Sequence, residues 1–243
     1  MTEAKIRLYV DHPLGPGQPA PLTQAQAHYL FHVMRAGIGH PVLLFNGRDG
    51  EWLAEVANAG KRDPLLLCLS QSRPLTSPPD LWLLFAPLKK SRTDYVVEKA
   101  VELGAARIQP VQTRFTNADR LRHDKMVAHA IEAAEQCGAT VVPQVGEMVP
   151  LPRLLSAWPE DRQLLWCDEA LAGASTSLAA TAGRGKPWAI LIGPEGGFSS
   201  EERIRIMSLP SVTSMSLGPR ILRADTAAVA ALTLWQSALG DWQ

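Results

Sequence analysis

The sequence has few of the features that announce a function. Its three cysteines, Cys68, Cys137 and Cys167, lie far apart and without metal-ligand spacing, so buried, reduced thiols are expected. The scattered histidines form no ligand cluster, and no metal is expected. No apolar run is long enough to span a bilayer; the longest, near Leu81, is broken by proline and lysine. The opening residues, MTEAKIRLYV, lack a basic-then-apolar leader, so a cytoplasmic protein is expected. Neither sign of charge is in excess: 24 Lys and Arg balance 24 Asp and Glu. That argues against a surface coated in basic residues for nonspecific nucleic-acid binding. The lysine-containing phosphate loop and the Gly-x-Gly-x-x-Gly pattern are both missing, which disfavours nucleotide-phosphate binding. No long internal repeat or low-complexity tract occurs.

What is present is an ordinary globular composition, 46% hydrophobic and 20% charged over 243 residues, enough for one or two domains with a substantial core. The balanced charge is unevenly spread. Ala86 to Lys125 holds nine basic and five acidic residues, and Met126 to Gln243 holds eight basic and twelve acidic. This pattern predicts a basic side and an acidic side.

Two rhythms divide the chain. In the first, Lys5–Val10, Pro41–Phe45, Trp52–Ala57 and Leu65–Leu69 read as short strands. The stretch NGRDGEW (Asn46 to Trp52) has hairpin chemistry. A helix capped by Thr23 is predicted over Thr23–Val33, with Ala27, Leu30 and Phe31 inward. A small barrel fits this pattern. The segment Ser70–Asp80 is too rich in proline, serine and threonine to continue a sheet and is read as the linker. The boundary is set at 72/73.

Beyond it, strands alternate with amphipathic helices: Leu81–Ala86, Asp94–Leu103, Arg107–Val111, His123–Cys137, Thr140–Val145, Leu151–Trp158, Leu164–Asp168, Trp188–Ile192, Ser200–Met207, Val212–Leu217 and Asp225–Leu239. This alternation predicts an α/β domain with a mainly parallel sheet covered on both faces. Such a sheet collects ligands at the carboxyl ends of its strands.

Two strand exits there are unusual. LIGPEGGFSSEE (Leu191 to Glu202) leaves a strand through Pro194, Gly196 and Gly197 into a serine–glutamate run, where Ser199 or Ser200 caps a helix. SLGPRILRADTAAVAAL (Ser216 to Leu232) leaves another through Gly218 and Pro219, with Arg220 and Arg223 flanking two apolar residues and Asp225 or Thr226 as the cap. Glycine-containing exits beside charged residues suit a polar, partly adenosine-like ligand.

GPEGGFSSEE and LGPRILRADTA, taken with ELGAARIQPVQTRFT and IEAAEQCGATVVP in this order, resemble the bacterial 16S ribosomal RNA uridine-N3 methyltransferases, members of the SPOUT-type methyltransferases. The resemblance covers essentially the whole chain. It implies a PUA-like RNA-binding β-barrel (1–72) and a parallel-sheet methyltransferase domain with a deep trefoil knot (73–243). It also implies S-adenosylmethionine as cofactor and a homodimer as the working form. Leu191, Gly193 and Gly197 then fall in the first cofactor loop, and Leu217, Gly218, Ile221 and Leu222 in the second. The family pattern Arg-Thr-Glu-Thr-Ala reads Arg223-Ala224-Asp225-Thr226-Ala227 here, which suits a capping or structural carboxylate better than a reach-dependent base.

Methylating uracil at N3 requires loss of the N3 proton and alignment with the sulfonium methyl. It also requires positive donors beside the carbonyl oxygens. Arg220 and Arg223 are the candidate donors, Glu195 is either proton acceptor or turn anchor, and Asp225 is retained as a catalytic candidate. Arg35, Lys89, Lys90, Arg92, Arg114, Arg120, Arg122 and Lys125 are candidates for the phosphates of 16S rRNA, within the 30S subunit or a late assembly intermediate. The alternatives are a methyltransferase for another rRNA or tRNA nucleotide, a catalytically silent ribosome-assembly protein, and a small-molecule enzyme using the α/β domain.

Overall fold

The computed structural model describes residues 4–118, 121–174, 178 and 185–242, and of Lys90 the backbone alone. Two compact units emerge, one of residues 1–77 with 134–142 and one of 78–133 with 143–243. The sequence boundary at 72/73 falls inside a strand, β5, which runs to Arg73.

The first unit is a five-stranded sheet ordered β1 (Arg7–Tyr9), β3 (Pro41–Phe45), β4 (Glu51–Asn58), β5 (Leu65–Arg73), β2 (Pro19–Pro21). Apart from the parallel β1–β3 pair its ladders are antiparallel. Leu8, Ala20, Val42, Leu44, Ala54 and Leu66 come from all five strands and join one core. Even the two edge strands face that core, as a rolled sheet requires. At the β3–β4 turn, Asn46 accepts from the backbone N–H groups of Arg48 and Asp49, an Asx turn that fixes the hairpin.

Thr23 caps α1 (Gln24–His28) in a capping box with Gln26. The single helix expected to Val33 widens instead into a π turn over Tyr29–Val33, closed by Met34 N–H donating to Tyr29 O. Arg35 follows at φ 55°, the one non-glycine residue with positive φ among those described.

β5 continues through the segment read as linker because its last residue is anchored. Arg73 donates to both carboxylate oxygens of Glu51 at 2.9 and 2.6 Å. Arg7 reaches the same carboxylate at 2.7 Å and also donates to the carbonyls of Ala134, Glu135 and Ala139. Those carbonyls close α3 (His123–Cys137), so two arginines satisfy a helix terminus that has no basic residue of its own. The same contacts shorten the strand expected over Thr140–Val145. Ala139 O is taken by Arg7, Gly138 O by Arg73, and Thr140 bonds Thr76 through its hydroxyl. Only β8 (Gln144–Val145) is left to pair with β7.

The second unit is a parallel sheet ordered β12 (Val212–Met215), β10 (Gln163–Cys167), β11 (Trp188–Ile192), β6 (Leu81–Phe85), β7 (Arg107–Gln112), β8, with β9 (Val149–Pro150) also on β7. β11 is buried at all five residues, as a central parallel strand with both faces covered must be. α2 (Lys90–Glu102) begins four residues earlier than predicted and buries Val97, Ala100 and Val101. α4 (Leu151–Ser156) and α5 (Ser200–Met207) pack together. α6 (Ala224–Leu239) packs on α2, where buried Gln236 donates to Leu103 O at 2.7 Å. β12, β10 and β11 are neighbours, so the loops leaving them open side by side.

Among the described residues no helix is long and apolar enough to cross a membrane. All three cysteines are free, and only Cys68 is fully buried; Cys137 is exposed and Cys167 half-buried. The expectation of buried thiols therefore fails at Cys137.

Candidate active site

The loop after β11 turns on a backbone bond from Gly197 N–H to Pro194 O at 2.9 Å. Gly197 sits at φ 70°, and a Cβ there would lie 2.3 Å from the Glu169 carboxylate. Glycine is demanded by the dihedral, and a side chain there would also displace the exposed Glu169 carboxylate. Ser199 then caps α5 in a capping box with Glu202. Buried Glu202 also accepts from the backbone N–H of Arg114 at 2.8 Å, which ties the loop after β7 to α5. The loop after β12 passes through Gly218 at φ 107°, where a Cβ would meet no atom within 4 Å. This glycine borders open space, and its carbonyl accepts from Gly173 N–H in the loop after β10.

That third loop was missed in the sequence, where Asp168 ends a strand and the first glycine, Gly173, comes only five residues later. Asp168 caps a short turn at Ala170 and receives a bidentate pair from Arg203 at 2.9 and 2.7 Å. The Arg203 guanidinium also lies over the Trp166 ring, 4.8 Å from its centroid.

The three loops enclose a cavity of ≈ 270 Å³ lined by Gly193, Gly197, Leu217, Gly218, Ile221 and Leu222, all predicted for the cofactor. Ile192, Phe198, Met215 and Ala227 extend its apolar wall, and Glu169, Glu195, Arg220 and Arg223 supply its charge. Burial pushes the Cys167 thiol up to about 12, so it lines the cavity as a neutral group. Leu191 is the exception among the predicted cofactor residues. Its side chain is buried in the sheet with Leu84, Trp166 and Ala189 and does not line the cavity, because alternate residues of a strand face opposite ways.

Arg220 and Arg223 are exposed and hydrogen-bond no described side chain. The acids behave differently. Arg92 donates through Nε and Nη2 to both oxygens of Asp225, at 2.7 and 2.8 Å, and through Nη1 to Glu195. The hydrogen bond from Arg92 holds the Glu195 carboxyl below its usual range, and the charges of Arg223 and Lys89 act in the same direction. Arg92 likewise lowers Asp225, against a smaller opposing effect of burial. The cap position of α6 is Arg223, whose side chain makes no capping bond, while the Asp225 carboxylate accepts from the first-turn N–H of Thr226 at 2.9 Å.

The phosphate candidates are dispersed. Lys89, Arg122 and Lys125 line a second cavity of ≈ 370 Å³ with Leu88, Thr93 and Asn117. Arg122 pairs with Asp124, and Lys89 is the exposed cap residue of α2. Exposed Arg114 is next to Phe115, whose half-open side chain lies against Gly196 in the loop after β11. Arg35 lies in the first unit, on the turn after α1. Arg92 is occupied by two acids and lies within the site instead. Arg120 and the side chain of Lys90 fall outside the described residues. No three His, Cys, Asp or Glu side chains among the described residues are grouped to hold a metal ion.

A parallel sheet with an apolar cavity at three neighbouring carboxyl ends, lined by two arginines that pair with no acid among the described residues, defines a cofactor-binding α/β enzyme. The comparisons narrow that class. Residues 76–236 match the model of an RNA methyltransferase domain, and residues 22–66 that of an RNA methyltransferase PUA domain. The chain belongs to this RNA methyltransferase family. A ribosomal RNA small subunit methyltransferase E from Rickettsia conorii is 28% identical over 93% of both chains. The solved structure of a methyltransferase from Legionella pneumophila with bound S-adenosylmethionine is 29% identical, covers 99% of this chain and 100% of its own, and superimposes with a TM-score of 0.87. A ribosomal RNA small subunit methyltransferase E from Neisseria gonorrhoeae, bound to S-adenosyl methionine, is 25% identical over 98% and 99% with a TM-score of 0.83.

Proposed function

We propose that this protein is a homodimeric cytoplasmic enzyme that transfers a methyl group from S-adenosylmethionine to N3 of a uridine in 16S rRNA of the small ribosomal subunit. The observation that carries the reading is the cavity itself: an apolar chamber built on two glycine turns and lined by two guanidinium groups that no described side chain hydrogen-bonds. The chamber fits the cofactor. Its aliphatic wall suits adenine, the open face above Gly218 admits the ribose, and the carboxylate of Glu169 suits a cationic amino-acid tail. When bound, the cofactor supplies the electrophilic methyl.

The chain's own residues do the rest. Gly193, Gly197, Leu217, Gly218 and Leu222 hold and enclose the cofactor. Phe115 offers a ring face to an unstacked base beside the loop after β11. Arg223, with Arg220, stabilises negative charge growing on the uracil carbonyl oxygens as N3 loses its proton to solvent at the open mouth. Glu195 and Asp225 are the counter-ions of Arg92 beside the cavity. Held as carboxylates by Arg92, they are weak bases. Lys89, Arg114, Arg122 and Lys125 set the RNA through its phosphates, as does Arg35 in the first unit. The exposed apolar side chains Tyr95, Ile221 and Leu234 of the second unit support a subunit contact.

Purified protein given undermethylated 30S particles or free rRNA, with nucleotide mapping of the product, tests the proposal. Methylation of one uridine at N3 in 16S rRNA is expected. Methylation of a different nucleotide would replace the substrate while keeping the chemistry, and no transfer to any RNA would leave a silent binder.

A further inference from the structure

One guanidinium of the second unit that holds two carboxylates, that of Arg92, was read in the sequence as one more phosphate contact. Arg92 stands in the first turn of α2, and its guanidinium spans two other elements. It closes a fork on Asp225, in the first turn of α6, and reaches Glu195 in the loop after β11. Both partners belong to segments that wall the cavity: Glu195 lines it, and Asp225 follows the lining residues Arg223 and Ala224. The side chains of Arg92 and Asp225 are only 24% and 19% exposed, whereas Glu195 is half open at 52%.

Two further cations face Glu195. These are Arg223, from the segment that enters α6, and Lys89, from the residue that caps α2. Among the described residues around the carboxylate, Arg92 alone hydrogen-bonds it. Lysine at position 92 would not reproduce the arrangement, because a point charge cannot close a planar fork on one carboxylate and reach another.

We infer that Arg92 is a positioning residue that occupies Glu195 and Asp225 so that the Arg223 guanidinium stays free to face the substrate. Without it, Glu195 is a carboxylate beside an unpaired arginine on the adjacent cavity segment, and the two close on each other. The group that must meet the developing uracil anion is then spent on an internal ion pair. The inference rests on the role proposed for Arg223.

The test is a rescue. Arg92→Ala is expected to lower single-turnover methyl transfer on the order of 100-fold while cofactor affinity changes only a few-fold. The double variant Arg92→Ala/Glu195→Gln, which removes the competing carboxylate, is expected to regain most of that loss. Arg92→Lys should fall between wild type and Arg92→Ala, and it carries the test if the alanine variant is not folded by circular dichroism. A purely structural clamp predicts the opposite for the double variant: removing a second member lowers activity further or leaves it unchanged. That outcome, or a wild-type rate in Arg92→Ala, overturns the inference. If Arg223→Ala itself leaves transfer unchanged, the role of Arg223 is what fails, so the two failures are told apart.

Discussion

Two ion clusters in this protein are mirror images, and the contrast between them separates stability from function. In the first unit one carboxylate, Glu51, is held by two arginines, Arg7 and Arg73, with its side chain 3% exposed. In the second unit one arginine, Arg92, is held by two carboxylates, Asp225 and half-open Glu195. Burial alone would raise the Glu51 pKa, but hydrogen bonds from Arg73, Arg7 and Ser72 outweigh it and bring the group down to about 2. The first cluster spends its hydrogen bonds on carbonyls at the end of α3 and on strand β5. The second lies beside a cavity and leaves Arg220 and Arg223 without an ion-pair partner among the described residues. A buried charge that loses its partners destabilises the fold, whereas one at an open rim chiefly changes what a ligand meets.

The largest effect that would break this contrast is expected at Glu51. Glu51→Gln leaves two part-buried guanidinium groups short of a counter-charge and should cost the first unit about 3–5 kcal/mol. Hydrogen exchange of the β3–β5 amides in the full chain reads this directly. The wild-type cluster has its own pH signature. Because the folded pKa lies below the ordinary carboxylate value of 4.5, its contribution is full above pH 4.5 and is lost as pH falls toward about 2. That drop amounts to about 3 kcal/mol and should be absent from the Gln variant. A Glu51→Gln protein as protected as wild type would remove the structural role.

On the other side, Arg223→Ala should leave unfolding within about 0.5 kcal/mol of wild type while lowering single-turnover methyl transfer by about 10²–10³. Cofactor affinity should be nearly unchanged. A stability loss as large as that at Glu51 would erase the distinction between the clusters, and an unchanged rate would remove Arg223 from the chemistry.

Local signals made much of this legible. β11 is read to the residue because five buried apolar side chains stop at Gly193-Pro194. α5 is read to the residue because Ser199 and Glu202 form a capping box. Six of the seven predicted cofactor residues line one cavity, since glycine turns betray themselves by composition; Leu191 fails on strand alternation. The features that escaped are pairings across the chain. Arg92 is 103 residues from Glu195 and 133 from Asp225, and no periodicity encodes that meeting. Asp168 and Glu169 carry no turn signature, so the third loop looked like a plain strand end. Carbonyls claimed by Arg7 and Arg73, 132 and 65 residues away, shortened a strand that propensity supported. The trefoil knot implied by the resemblance concerns how the chain is threaded, to which residue spacing is blind.

The cavity that three strand exits build for a methyl donor is tested most directly by calorimetric titration of the full chain with S-adenosylmethionine. The account predicts one saturable site per chain. In Gly197→Val, where the added side chain meets the Glu169 carboxylate at a positive φ, affinity should fall at least about tenfold with the secondary structure intact. Saturation that is unaltered in a folded Gly197→Val protein, or no saturable uptake by wild type with RNA present, would contradict it.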